Sequence, residues 1–291
     1  MGVSNSVPSE GWAQLPSAIN TALGVSSFII FNNEVYGFGG DFNEVASEYR
    51  HWAVKYNGTA WTDITNTIMT IRPTTALYGE VLGNEIYLFD SGHTVYKYRN
   101  GHPIQVDTTN SGGRYGGYYY KSGVFRGKQI SCLRHWGESY ADWYINSYDH
   151  VTNESQCIGV IENSNYISKI IEYNNQLYIF ASFNDFVYVS SDGSNYTELI
   201  LPRPLSNAVV YHDKLHLFWT AQFGCTGDNS PHYIYDGISF TKIGNTPPND
   251  YSKFFVYNDA LHIINGANTA THDIYNDSDN SFTKVSWLCS K

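Results

Sequence analysis

Hydrophobic and polar positions alternate along the chain in a phrase that recurs six times. Each copy has a short apolar strand, a tight turn rich in Asn, Gly or Asp, and a second apolar strand that carries Tyr, His or Phe. Alternation with a period of two predicts β-strands, and turn residues between two such runs predict a hairpin. The recurrence itself predicts a repeat architecture. The copies are Phe28–Phe38, Ala76–Phe89, Ser122–Leu133, Lys169–Phe180, Asn207–Phe218 and Lys253–Ile264.

A loop, a third strand, a second turn and a short fourth strand follow these hairpins. The second turns contain residue pairs that accept the positive φ angle of tight hairpins. Each repeat is therefore predicted to be a four-stranded antiparallel meander. The pairs are Asn57-Gly58, Asn100-Gly101, Asp192-Gly193 and Asp236-Gly237.

Stacked meanders predict the overall fold. One four-stranded sheet cannot bury both of its faces, and radial stacking around an axis closes the array without a long exposed edge. We therefore predict an all-β, six-bladed β-propeller in one domain, residues 1–291, with the ring closed by the chain termini. The predicted blades are residues 25–64, 75–106, 120–159, 168–199, 207–243 and 253–285, and residues 1–20 add a strand beside the C-terminal segment near the closure.

The first repeat resembles the kelch-type β-propeller family. Trp12, Leu15 and Pro16 precede the strand Phe28–Phe31, and the second strand ends in Gly39-Gly40, which is similar to the double glycine of that family. The resemblance implies a propeller, most commonly one that acts as a protein-interaction adaptor. Sialic acid mutarotases are also kelch-type propellers. The later repeats have other residues where the glycine pair would begin, namely Asp90, Leu133, Ala181, Trp219 and Asn265.

A second resemblance lies in the segment Ser190–Tyr196, which is similar to the Asp-box hairpin of sialidases and other propellers. In those proteins the box is a structural turn at the outer edge of a blade. The resemblance implies that the side chain of Asp192 accepts hydrogen bonds from backbone N–H groups.

Composition and charge exclude several classes of partner. The net charge is −10, from 27 acidic and 17 basic residues, and no basic run interrupts the sequence. Attraction to a phosphate backbone is therefore not available, and we expect no nucleic acid partner. No apolar stretch is long enough for membrane insertion, and the N-terminus lacks a classical signal peptide. We expect a virion or extracellular particle surface, or otherwise the cytoplasm.

Neither the cysteines nor the histidines are arranged as metal ligands. Cys132 and Cys157 fall in one repeat but on strands separated by a third, so free thiols are favoured over a disulfide. Four histidines begin third strands, yet they are not equivalent, because two precede the turn tyrosine by five residues and two by three. We therefore expect no metal and no cofactor. These histidines are His51, His93, His232 and His272.

Candidate binding residues concentrate in the loops of one propeller face. In this fold, the loops from second to third strands share a face with the connections between blades, and here Gly39–Arg50, Arg134–Asp142 and Trp219–Pro231 are predicted to be long loops. Aromatic faces and directed polar groups suit a sugar and equally suit a protein. For any single aromatic, such as Trp52 or Trp143, a wedge between blades is the alternative. The candidates are Arg50, Trp52, Asp90, His93, Arg114, Tyr115, Tyr118, Trp136 and Trp219.

These features favour a non-enzymatic recognition module. Its expected partner is a glycan or host-surface receptor, and its expected context is a larger particle such as a phage tail, where it would also contact neighbouring subunits. Two alternatives remain open: a kelch-type adaptor that docks through its other face or its blade edges, and a carbohydrate-processing enzyme. The chain has no GxSxG elbow or phosphate-binding glycine loop, but propeller enzymes assemble sites from distant loops.

Overall fold

The structure, a computed structural model, confirms an all-β propeller of six blades. It describes residues 25–43, 48–68, 77–90, 94–110, 117–135, 142–162, 164–204, 207–218, 230–246, 253–265, 271–278 and 280–284. In these residues the helical structure is a single 3-10 turn at Thr65–Thr67. No helix in the described ranges has the length and hydropathy needed to cross a membrane.

The first three blades follow one another along the chain. Blade one contains β1 (Val25–Phe31), β2 (Glu34–Asn43), β3 (Glu48–Tyr56) and β4 (Trp61–Asp63). Blade two contains β5 (Tyr78–Leu82), β6 (Glu85–Phe89), β7 (Val95–Arg99) and β8 (His102–Val106). Blade three contains β10 (Gly117–Phe125), β11 (Lys128–His135), β12 (Trp143–Asp149) and β13 (Glu154–Ile161), and it gains a two-residue parallel strand, β9 (Thr109–Asn110), outside β13.

The last three blades repeat the pattern. Blade four contains β14 (Ile167–Tyr173), β15 (Gln176–Ala181), β16 (Phe186–Ser190) and β17 (Thr197–Ile200). Blade five contains β18 (Asn207–Tyr211), β19 (Lys214–Phe218), β20 (Ser230–Tyr235) and β21 (Phe240–Thr246). Blade six contains β22 (Lys253–Tyr257), β23 (Ala260–Asn265), β24 (Thr271–Asn276) and β25 (Ser281–Lys284).

Six apolar clusters hold neighbouring blades together. Each cluster draws its buried side chains from two adjacent blades, so the core is divided among the blade interfaces. Trp143, which is 1% exposed, belongs to the cluster between blades three and four, as expected for a wedge. The cluster between blades six and one includes Phe255 and Val35, and Tyr257 donates a hydrogen bond to the carbonyl of Asn33 at 2.9 Å. Blade six thus packs against blade one.

The turn residues behave as the sequence predicts. Left-handed φ angles occur at Gly58, Gly193 and Gly237, and at both residues of the Asn100-Gly101 turn. The first hairpins use the same conformation, because the Asn32-Asn33, Asn174-Asn175 and Asn258-Asp259 pairs all have φ between 48° and 59°. Asn and Asp tolerate this region better than most side chains.

The Asp-box resemblance is also confirmed as a turn. One carboxylate oxygen of Asp192 accepts the backbone N–H groups of Ser194 and Asn195, each at 2.8 Å. These hydrogen bonds hold the pKa of Asp192 well below its usual range. Cys132 on β11 and Cys157 on β13 are both free and are separated by β12.

Two predicted loops are partly strand. Residues Gly39–Asn43 pair with Glu48–Trp52, so β2 and β3 continue through most of the predicted loop Gly39–Arg50. The glycine pair does not end the strand, because antiparallel pairing continues on both of its sides. The connection into blade three likewise becomes strand at Gly117.

The two faces of the ring differ in the segments they carry. One face, here called the loop face, carries the loops between second and third strands and the connections between blades. The opposite hairpin face carries the tight turns. The outer strand of blade six comes from Ser281–Lys284, as predicted, whereas the predicted strand in residues 1–20 lies outside the described residues, so ring closure by both termini stays a prediction.

Candidate functional site

A cavity of about 490 Å³ lies between the innermost strands of the six blades. Every residue that lines it belongs to one of these six inner strands, which are β1, β5, β10, β14, β18 and β22. Each inner strand pairs with a neighbour on one side only in the described sheets, so the edge turned away from the sheet presents backbone N–H and C=O groups. We call this cavity the central channel.

Each blade contributes one residue to a ring around the channel. The ring residues share one register, four positions before the end of the inner strand; Lys169, for example, lies opposite Phe180, and Lys253 lies opposite Ile264. Because an inner strand begins at the loop face, the ring lies at the loop-face end of the channel. We call these residues the channel ring: Ser27, Tyr78, Lys121, Lys169, Asn207 and Lys253.

Three ammonium groups share this end of the channel with the carboxylate of Glu80. Burial raises the pKa of Glu80 to about 7, although Ser122 donates a hydrogen bond to it and Lys169 attracts it. Burial lowers the pKa of Lys169, which Glu80 partly offsets. Burial also lowers the pKa of Lys253 to about 7, and the charges of Lys121 and Lys169 add to the effect.

A second carboxylate, that of Glu172, lines the channel toward the hairpin face. Its Oε2 accepts the backbone N–H of Arg126 at 3.0 Å, in the turn between β10 and β11. The side chain of Glu172 therefore makes this hydrogen bond at the hairpin-face end of the channel, away from the channel ring. Among the described lining residues, Glu80 is the carboxylate placed to balance the three lysines.

An exposed aromatic surface lies on the loop face beside this end of the channel. Tyr166 immediately precedes β14, and 42% of its surface is exposed. The guanidinium carbon of Arg134 lies 5.2 Å from the centre of the Tyr166 ring. Phe183 follows β15, is 53% exposed, and lies next to Ser182, whose backbone N–H bonds the Tyr166 carbonyl at 2.7 Å. We call Arg134, Tyr166 and Phe183 the aromatic platform.

The backbone of Phe183 is strained. Its φ of 69° lies in the left-handed region, which is rare for a bulky side chain and costs of the order of 1–3 kcal/mol. Its neighbours Ser182 and Asn184 are buried, and Asn165 Nδ2 donates to Asn184 Oδ1 at 2.6 Å. The turn is thus fixed on both sides of Phe183, which is itself 53% exposed.

The described residues include four of the nine predicted site residues. Asp90 is 2% exposed, and its Oδ1 accepts the backbone N–H of Thr94 at 2.8 Å, so it closes the loop after β6. Trp52 is half-buried on β3, opposite Gly39. Arg50 and Tyr118 lie on β3 and β10. The other five, whose convergence stays a prediction, lie outside the described residues: His93, Arg114, Tyr115, Trp136 and Trp219.

Sequence reasoning missed the lysines of the channel ring. Lys121, Lys169 and Lys253 stand at the same position of the third, fourth and sixth repeats, in the segments KSGVF, KIIEY and KFFVY. The signal was the recurrence of one charge at a fixed position of an otherwise apolar strand. Because the candidate residues were sought in the loops, this signal in the strands stayed outside the predicted site.

Two buried histidine pairs occupy blades five and six. His216 Nδ1 lies 2.9 Å from His232 Nε2, and His262 Nδ1 lies 2.7 Å from His272 Nε2. His262 Nε2 also lies 3.1 Å from the carbonyl of Tyr257, to which it must donate. Its Nδ1 therefore accepts from His272 when both rings are neutral.

Each of these contacts brings together two histidines. His232 and His272 are structurally equivalent, whereas the described residues contain no group of three metal-ligating side chains. Burial is the main cause that lowers the pKa of His216 to about 4 and of His232 and His272 to about 3.

Comparison with known proteins identifies similar folds and no family. No protein-family model and no curated protein matches the sequence. A solved structure of YCF48 bound to D1 peptide is 10% identical, with a TM-score of 0.55 over 94% of this chain and 82% of that one. The Trypanosoma rangeli sialidase is 14% identical, with a TM-score of 0.55 over 89% of this chain and 53% of that one.

A third similar structure is PorZ, a surface component of the type-IX secretion system of Porphyromonas gingivalis. It is 8% identical, with a TM-score of 0.52 over 90% of this chain and 33% of that one. Identities this low show the shared fold alone. They support the propeller without confirming the kelch family, and neither they nor the fold support the predicted place in a phage tail.

Proposed function

We propose that this protein is a non-enzymatic recognition module that binds the end of a glycan on its loop face. The observation that carries the proposal is the aromatic platform, where exposed Tyr166 lies beside the guanidinium of Arg134 and exposed Phe183 lies in the turn that is hydrogen-bonded to the Tyr166 carbonyl. The C–H face of a sugar packs on an aromatic ring, and its hydroxyl groups need directed donors and acceptors. The platform offers both.

The platform and the channel ring are close enough to contact one ligand. Tyr166 precedes Lys169 by three residues in an extended segment, which spans about 10 Å. A short oligosaccharide on the platform therefore reaches the channel mouth. The strained turn at Phe183 supports a binding role. Strained backbone conformations persist only where the surrounding structure holds them in place, and they are concentrated at binding sites.

The described carboxylates support binding rather than catalysis. Several aspartates accept backbone N–H groups in turns, as Asp90 does from Thr94 and Asp236 does from Ile238 and Ser239. Burial, rather than a second carboxylate, raises the pKa of Glu80. A paired acid and base, as glycosidases require, is therefore not part of the proposed function.

A glycan array tests the proposal, with substitutions at the platform. Wild-type protein is expected to bind a restricted set of glycans, and Phe183→Ala is expected to weaken the binding at least about tenfold, because stacking energy is lost. Val151→Ala is the matched control, because Val151 is 78% exposed in a turn on the hairpin face. Equal loss in both variants, or no glycan bound by the wild type, would contradict the proposal.

A second candidate function is an adaptor that docks through its blade edges. Ile104 on β8 and Ile200 on β17 are 55% and 64% exposed, and both strands are the outermost of their blades. Exposed apolar side chains on outer strands are suited to contact another protein. An Ile104→Lys/Ile200→Lys variant that loses a protein partner while keeping its glycan profile would favour this role.

A further inference from the structure

The lysines of the channel ring are costly for the free protein. Three ammonium groups converge at one end of a narrow channel, where water screens them less than at the surface. Lys253 is repelled by both Lys121 and Lys169, and the nearby counter-charge of Glu80 acts on Lys169. Bringing like charges together in such surroundings opposes folding unless an opposite charge joins them.

The fold itself does not require lysine at this register. The equivalent positions of the other three blades hold Ser27, Tyr78 and Asn207, which line the same channel without a charge. Lysine is therefore compatible with the position but not demanded by it. The mutual repulsion of the three lysines opposes folding of the free propeller and Glu80 offsets it in part, so a bound anion supplies a physical reason for their convergence.

We propose that the channel ring is a binding site for one oxyanion, a carboxylate or a sulfate- or phosphate-type group, that enters from the loop face. Lys121, Lys169 and Lys253 supply ammonium donors, which bind such groups by charge-assisted hydrogen bonds. Ser27 and Asn207 add neutral polar groups to the same ring. The site goes beyond the proposed glycan binding and does not rest on it.

The dimensions of the channel limit the ligand. A volume of about 490 Å³ falls in the range of small-molecule sites and excludes a folded partner. Glu80 limits the charge that the ring accepts, because its carboxylate already neutralises part of the ammonium charge. An oxyanion at the loop-face end avoids Glu172, whose hydrogen bond lies toward the hairpin face.

Thermal unfolding of the full chain with sodium sulfate as the probe tests the site. Sodium chloride at matched ionic strength corrects for screening, and the general salting effect of sulfate is common to all variants. The wild-type midpoint is expected to rise saturably, because a ligand that binds only the folded state stabilises it. The Lys169→Met/Lys253→Met variant is expected to lose this response, with sulfate affinity lowered at least about tenfold.

Two further variants make the test specific. Lys242→Met removes one lysine from an exposed position on β21 and is expected to keep the sulfate response. Glu80→Gln removes the carboxylate beside the ring and is expected to tighten sulfate binding, an effect that a merely structural role would not produce. In the absence of sulfate, the double lysine variant is expected to unfold at a higher temperature than the wild type.

Two results would overturn the proposal: a sulfate response that is the same in the double lysine variant and the wild type, or a wild-type response no larger than that to chloride. The binding affinities of an acid-terminated oligosaccharide and of its neutral counterpart distinguish two sources of the oxyanion, a glycan and a free anion. Lysine-dependent preference for the acidic one assigns the site to the glycan, and sulfate binding without this preference assigns it to a free small anion. Phe183→Ala, which tests the glycan proposal, is expected to leave sulfate binding unchanged.

Discussion

Acidification should destabilise the propeller through its buried histidine pairs. His216, His232 and His272 are 2%, 1% and 1% exposed, and their neutral forms are hydrogen-bonded. A second proton on a ring places a cation in the core, and on the accepting ring of a pair, such as His262, it also removes the acceptor of the hydrogen bond. The unfolded chain accepts protons near the ordinary pKa of 6.5, whereas the folded protein resists them down to about 4 or 3.

The sign and size of the effect follow from these values. The folded pKa values are lowered, so the unfolded state binds more protons below about pH 6.5, and stability is lost as the pH falls. At about pH 5.5 each histidine costs about 1.4 kcal/mol, and the three together cost about 4 kcal/mol. That loss is a large fraction of the free energy of unfolding of a typical domain, which is roughly 5–15 kcal/mol. Asp277 slightly opposes the effect at His216.

Urea unfolding at about pH 7.5 and about pH 5.5 measures this difference in the free energy of unfolding. The His216→Gln/His232→Gln variant keeps one of these three histidines and is expected to lose about one third as much stability between the two pH values, even if it is less stable at the higher one. His102→Gln, on the exposed edge of blade two, is expected to retain the full loss. Equal pH dependence in the double variant and the wild type would refute the reasoning.

Two further predictions concern the loop face. Phe183→Gly is expected to raise the free energy of unfolding by about 1 kcal/mol, because glycine adopts the left-handed φ without strain, and to weaken glycan binding. Urea unfolding measures the first effect and the glycan array measures the second. A variant less stable than the wild type would contradict the strain at Phe183. Sulfate affinity is expected to fall as the pH rises from about 6 to about 8, because Lys253 loses its proton and Glu80 becomes a carboxylate, each with a pKa of about 7. Titration calorimetry measures this change in affinity, which is expected to be smaller in Lys253→Met and in Glu80→Gln than in the wild type.

The local parts of the fold were predictable from the sequence. Turn pairs such as Asn100-Gly101 and Asp236-Gly237 accept backbone angles that most residues avoid, so they marked the hairpins. Apolar alternation then gave the strands between them. The extension of β2 and β3 to Asn43 and Glu48 was not predictable in this way, because pairing beyond the Gly39-Gly40 pair depends on contacts between strands.

The candidate site was less predictable, because it depends on ring closure. Lys121 and Lys253 are more than a hundred residues apart, and they meet only when the inner strands surround one axis. The strain at Phe183 likewise comes from its tertiary surroundings rather than from its sequence. The pairing of His216 with His232 also needed the register of β19 and β20, although equal spacing to the turn tyrosine had already linked His232 and His272.

We propose above that recognition takes place on the loop face, where the aromatic platform lies beside the channel ring. A crystal structure of the protein with the glycan that binds most tightly tests it directly. We expect a sugar ring within about 5 Å of Tyr166 or Phe183, as in stacked aromatic contacts, with any acidic group directed toward Lys169. A glycan bound on the hairpin face or on the outer strands would contradict it.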